Sequence, residues 1–296
     1  MNKALDRLNA YFLVLYYTLI MVFGVLIKHP VHLAIILAGG VAMAWIVAGA
    51  KTMLRTLGYA LIMDVLIIFI NPLVSKEGMT KIMEIGTFYV TLESVVYGAV
   101  SALMLTAVFM WFVSFNAVMT GDKYIYVLGR FLPSFSLLIS LTLRLIPELN
   151  REYERERNYA KSLGLFLDDG FKNKFRLSMY ALRGVIRHSI ENSGIRADSM
   201  EARGYGIAHR SSYLKYKVRC TDIIFFVCSI LLGTSIIAFH VIDADFASYY
   251  PIINIKISGT YAILSIVSIA LFVLVPIVYE LREVARWKRY LIKTSA

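Results

Sequence analysis

Two cysteines in 296 residues, Cys220 and Cys228, are too few for a disulfide framework, and a chain this long can bury a core without one. Charge is scarce as well. Charged residues make up 17% of the chain and hydrophobic residues 58%, against about 25% and 45–50% in an average soluble domain. Disorder, which needs low hydrophobicity, is excluded. No G-x-x-x-x-G-K-[ST] phosphate loop occurs, so ATP binding in that manner is not expected, and neither H-E-x-x-H nor a paired C-x-x-C is present. Ser/His/Asp catalysis has no local signature. The five histidines are scattered, and the closest two, His29 and His32, lie at a loop–helix junction without a third ligand for a metal. Acid is scarcer than base, 20 residues to 31, which gives a net charge of +11. Where that excess lies decides between nucleic acid, anionic lipid and an acidic protein partner.

What is abundant is apolar sequence in long runs. A membrane helix needs about 20 apolar residues to cross about 30 Å of hydrocarbon. Tyr11–Ile27, Val31–Ala50, Val95–Met119, Asp222–Val241 and Gly259–Tyr279 meet that need, and Leu57–Ile70 is a shorter sixth run that stops at Asn71-Pro72. No small-residue cleavage site follows Ile27, so the first run reads as a retained span rather than a signal peptide. Lys3, Arg7, Lys51, Arg55, the Lys123–Arg219 stretch and the Arg282–Lys293 tail fall on one side of such a bundle. The opposite loops dilute Lys28, Lys76, Lys81 and Lys256 with Glu77, Glu84, Asp243 and Asp245. The positive-inside rule then makes both termini cytoplasmic. One-sided charge favours the inner leaflet or a cytoplasmic protein, and nucleic acid is not an expected partner.

Residues 120–220 have a different grammar. Phe131–Ile146 is apolar but too short to span comfortably and suits the interface, with Pro147 marking a break. Glu148–Arg151, Glu152–Arg155 and Glu154–Arg157 have the i,i+3 spacing of ion pairs on a solvated helix. Leu149, Tyr153, Ala160 and Leu163 form a narrow apolar stripe on it, and Gly164 ends it. Leu165–Phe171, with Asp168-Asp169-Gly170, reads as a turn. A long helix follows from Lys172 to Arg203, with Phe175, Met179, Leu182, Ile186, Ile190, Ala197 and Met200 at helical spacing. Arg176, Arg183, Arg187 and Arg196 occupy its other faces, suited either to phospholipid headgroups or to a solvated, snorkelling surface.

Two features bear on function. Asp64 is an acid inside an apolar run, which is a candidate functional acid or a satisfied structural one. Ala202-Arg203-Gly204 closes the long cytoplasmic helix. Its small neighbours would let the tip enter a groove, where the guanidinium could make bidentate bonds to carboxylates. The tripeptide alone also fits an ordinary cationic helix end.

The full string Ser199-Met200-Glu201-Ala202-Arg203-Gly204-Tyr205-Gly206 resembles the signature of the transmembrane T components of energy-coupling factor (ECF) transporters, the CbiQ-like family. Lys28-His29-Pro30, Asn71-Pro72-Leu73, Thr91-Leu92-Glu93, Leu132-Pro133 and Leu143-Arg144-Leu145-Ile146-Pro147 are similar to further motifs of that family, in the same order. The resemblance implies a scaffold that binds no cofactor itself. Its coupling helices would dock two ABC-type ATPase subunits, which use ATP-Mg, beside a small membrane S component that binds a vitamin or metal ion. Glu201, Ala202, Arg203 and Gly204 would form one ATPase contact. By alignment Ser162, Leu163 and Gly164 would form the other, with Leu163 where the family has arginine.

The expected fold is an all-α integral membrane protein of the bacterial plasma membrane, with about six transmembrane helices and a cytoplasmic helical coupling domain. Residues 1–119 would form the first four spans, 120–220 the coupling helices, 221–279 two more spans and 280–296 a basic tail. Two competing readings remain: a membrane enzyme acting on lipid or isoprenoid through Asp64 and a basic pocket near Arg144, and a self-contained secondary transporter. No inverted repeat is visible to support the latter.

Overall fold

In hydrocarbon each backbone polar group must be satisfied within the protein, so the helix is the natural form for every apolar run. The computed structural model describes residues 5, 8–74, 78–85, 88–165, 170–205, 207, 218–242, 247–255 and 260–295; at 81–85, 88–89, 130–131, 133–134 and 283–295 it describes the backbone alone. Expectations resting on Lys3, Arg7, Lys76, Glu77, Asp168, Asp169, Gly206, Asp243, Asp245, Lys256 and Gly259 lie outside those residues. The chain divides into two units, Met1–Tyr124 with Tyr216–Ala296, and Ile125–Lys215.

The first unit holds the apolar helices. These are α1 (Ala10–Leu26), α2 (Pro30–Ala48), α3 (Ala50–Val74), α4 (Leu92–Val118), α8 (Cys220–Val241) and α9 (Thr260–Ser295). Among the described residues five are long and apolar enough to cross a membrane: α2, α3, α4, α8 and the Thr260–Arg282 part of α9. The all-α membrane class expected from the sequence holds. The third run was underestimated, because α3 does not stop at Asn71-Pro72 but continues to Val74 as a 25-residue helix. Pro72 lies in its last turn, so it removes the bond to the Ile68 carbonyl and only Leu73 and Val74 follow it. The shortest apolar helix is instead α1, whose 17 residues reach only the lower limit for a span.

The core of this unit is aromatic. Tyr16, Tyr17, Trp111, Phe225 and Phe272 are buried together, with Tyr16 stacked on Phe272 at 4.8 Å between ring centroids. Each polar tip is bonded: the Tyr17 hydroxyl with Ser114 Oγ at 2.8 Å, and Trp111 Nε1 donating to the Ile36 carbonyl at 2.8 Å. The Tyr16 hydroxyl donates to the Phe272 carbonyl at 3.1 Å. That last bond has a specific cause. Pro276 has no N–H to give the carbonyl four residues back, and Tyr16 of α1 takes its place, so α9 runs through its proline. Close packing comes from glycine. A Cβ on Gly39 would stand 2.0 Å from Val273 of α9, and one on Gly40 would stand 3.0 Å from Met110 of α4.

Two short antiparallel hairpins lie in loops the sequence reading left without structure. β1 (Lys81–Ile85) pairs with β2 (Phe88–Thr91), and β3 (Ala247–Ser248) pairs with β4 (Asn254–Ile255). β2 leads directly into α4, whose N-cap is Thr91. The Thr91 hydroxyl accepts from Ser94 N–H, while Glu93 accepts from Thr80 N–H at 3.1 Å. The basic tail is not separate from the last span, because α9 is helical to Ser295.

The second unit contains most of α5 (Gly121–Phe131), α6 (Pro133–Ser162) and α7 (Phe171–Ala202). Pro147 does not break the chain as expected, and α6 runs through it for 30 residues. The carbonyl it leaves without a helical donor belongs to Leu143, which is exposed and can be hydrated. Arg151 donates from Nε to the Pro147 carbonyl at 3.2 Å.

Candidate coupling tips

α6 and α7 pack against each other as an antiparallel pair. Glu148 of α6 is bonded to Arg196 of α7, and Gly184 of α7 lies against the Glu156 side chain. Of the three expected i,i+3 ion pairs, Glu152–Arg155 and Glu154–Arg157 form, at 2.9 and 3.6 Å. The third does not. Glu148 reaches across to Arg196, and that guanidinium's hydrogen bond holds the Glu148 carboxyl below its ordinary range.

The buried face of α7 also differs from the expected one. Leu177, Ala181 and Val185 are buried, with Ala160 buried on α6, whereas Phe175, Met179, Leu182, Ile186 and Ile190 are exposed. Small residues at Ala160, Ala181 and Gly184 let the helices approach, which a reading based on the largest apolar residues overlooks. The signal was available in the spacing of Ala181 and Gly184. On α6, Leu149 and Tyr153 are half-buried, while Leu163 is 70% exposed.

Both helices end in the same way. At the end of α6, Gly164 takes φ 73°, its N–H donates to the Lys161 carbonyl at 2.9 Å, and Leu165 N–H donates to the Ala160 carbonyl at 3.0 Å. At the end of α7, Gly204 takes φ 83°, its N–H donates to Glu201 at 2.8 Å, and Tyr205 N–H donates to Met200 at 3.0 Å. These paired bonds are a Schellman motif, which needs a left-handed residue that glycine adopts without strain. In each case the residue before the glycine is the C-cap, Leu163 or Arg203, and it is exposed. Ser162, Glu201, Ala202 and both glycines surround these two tips, and all but the half-buried Gly204 are exposed. By the register of Glu148 with Arg196, the Arg203 tip lies near the Leu141 level of α6, about 35 Å of helix from Leu163. The α7 tip is cationic and the α6 tip apolar, with Lys161 exposed two residues before Leu163.

Asp64 lies in the first unit. It is buried between α3 and α4, where Oδ2 accepts from the Thr106 hydroxyl at 2.6 Å. Arg144, offered with it as part of an enzyme site, is exposed on α6 in the other unit. His29 and His32 form an edge-to-face pair at 4.9 Å, with His32 Nε2 bonded to Ser265 Oγ at 3.0 Å. Among the described residues no group of three or more His, Cys, Asp or Glu could hold a metal ion.

A family model described as "Cobalt transport protein", CbiQ, matches residues 1–213, a stretch that includes both tips. The chain belongs to the CbiQ family. It is a multi-pass membrane protein of a family described by transport. Two curated proteins are similar over a shorter stretch, the uncharacterized protein MG181 of Mycoplasma genitalium and its homolog in Mycoplasma pneumoniae. The first is 36% identical over 92 residues, 30% of this chain and 22% of that protein. The second is 33% identical over 90 residues, 30% and 21% respectively. The matched part of this CbiQ-family chain thus spans about a fifth of the length of either relative.

Proposed function

We propose that this chain is the T component of an ECF-type transporter, a scaffold that couples ATP hydrolysis by two partner ATPases to uptake of a micronutrient, a vitamin or a metal ion. The observation that carries the reading is the repeated tip. Two glycine-capped helix ends of one geometry stand about 35 Å apart along an antiparallel pair, a spacing suited to two separate partner surfaces. ATP-Mg belongs to those partners, and the chain performs no chemistry of its own. A small membrane S component supplies the substrate site. In this reading the tips and both termini face the cytoplasm of a bacterial cell, and closure of the ATPase pair draws the tips together and moves α6 and α7.

Arg203 offers a bidentate, charge-assisted contact to carboxylates on one ATPase, and Leu163 an apolar plug to the other. Unlike tips suit unlike ATPases. Purification of the chain from its own membranes in mild detergent should recover two ATPases and a small membrane protein. Arg203→Glu should lose one ATPase from that complex. Wild-type complex yield and uptake in this variant would refute the role given to Arg203. Asp64 serves as a tie between α3 and α4. Asp64→Asn, which can still accept from Thr106, should therefore leave complex yield and uptake unchanged, and loss of uptake with the complex intact would assign it a protonation role instead.

A further inference from the structure

A groove of about 480 Å³ runs between α8 and α9 at the end nearest the basic tail. Phe225, Cys228, Leu271 and Leu274 are among the residues that make its walls apolar, while Thr221 and Arg282 stand at one end. From Arg282 to Leu271 is eleven residues of helix, about 16 Å, close to half of the 30 Å hydrocarbon thickness. The groove is thus one leaflet deep, polar at its mouth and apolar below. The acids nearest the mouth are turned inward. Asp222 is buried and accepts from Arg219 N–H at 3.2 Å, and Glu280 is buried and accepts from Leu5 N–H at 3.0 Å. Beyond the mouth the sequence of α9 adds Arg286, Lys288 and Arg289 against Glu283.

We propose that this groove holds one acyl chain of an anionic phospholipid from the leaflet nearest Arg282, its phosphate drawn to the Arg282 guanidinium. The depth and the charge select this occupant. A partner's membrane helix would follow the exposed apolar side of α9 on past Leu271 to Val267 and Leu264, whereas the groove itself stops at Leu271. A lipid matches both the length and the single cationic end. The chain would then carry a bound lipid between its last two spans, whatever partners its coupling tips engage.

The whole purified chain, placed in nanodiscs of equal phosphatidylglycerol and phosphatidylcholine and released into detergent for native mass spectrometry, provides the test. Phosphatidylglycerol should be retained about fivefold over phosphatidylcholine. Arg282→Gln should bring that ratio near one with lipid still bound, and Leu274→Trp should remove both lipids. Equal retention in the wild type, or a ratio unchanged in Arg282→Gln, would overturn the proposal. A photo-crosslinker on Cys228 in a Cys220→Ser background, activated in native membranes, should give an adduct of phospholipid mass. A protein adduct there would assign the groove to a partner helix and refute the lipid.

Discussion

The C-terminal turns of α6 and α7 share a backbone and differ in side chain. Each ends in two crossed N–H bonds around a left-handed glycine, Gly164 or Gly204, and each thrusts its C-cap residue outward. One presents Leu163 and the other Arg203. The difference separates two tasks. The glycine motif fixes where a contact is made, and the side chain in front of it fixes what chemistry the contact uses. A reading by motif alone treats Leu163 as a lost arginine. The geometry makes it a presented leucine.

Four changes would break or sharpen that comparison. Arg203→Glu should have the largest effect, because it removes charge-assisted bonds and adds repulsion, about 3 kcal/mol or a hundredfold loss of ATPase capture in a pull-down. Leu163→Ala should weaken capture of the other ATPase about tenfold, as expected for an apolar side chain losing its pocket. High salt should release the Arg203 partner and spare the Leu163 partner; equal release of both would argue against two kinds of contact. Gly164→Ala and Gly204→Ala should each destabilise the last helical turn by about 1 kcal/mol, and by similar amounts, read as faster amide exchange at Leu165 and Tyr205. Unequal changes would mean that the two turns differ in backbone after all.

The smallest effect concerns the clamp between the helices. The carboxyl of Glu148 lies below its ordinary value of 4.5 because Arg196 bonds the charged form. Its contribution to stability is therefore present above that value and lost as pH falls through the lowered one. Both partners are well exposed, so Arg196→Ala should lower the melting temperature only slightly at neutral pH and remove that acid dependence, measured by thermal melts between pH 3 and 7.

The membrane helices were legible because hydrocarbon leaves an apolar run little choice of form. What misled were the prolines. Asn71-Pro72 and Pro147 look like stops, yet both helices pass through them, the first for two more residues and the second with its freed carbonyl on an exposed stretch. The tips were legible at Arg203, where a whole string carried the resemblance, and less so at Leu163. There Gly164 marks a helix end, but apolar spacing puts the Leu163 side chain in a packed stripe. At the α6–α7 interface hydrophobic size is a poor sign of burial. Ala160, Ala181 and Gly184 make the contact through being small, and Glu148 found a partner on another helix instead of its neighbour in sequence.

The bond from Tyr16 to the carbonyl that Pro276 strands, across 256 residues of sequence, makes Tyr16 and Pro276 one unit of inheritance. Only one of the two can change safely first. Losing the hydroxyl first leaves a carbonyl unpaired within the membrane, whereas losing the proline first leaves a phenol beside a carbonyl already satisfied. Descendants of this sequence should therefore drift in a fixed order, the proline replaced before the tyrosine becomes phenylalanine. A collection of family sequences holding many chains with proline at 276 and phenylalanine at 16 would count against that order.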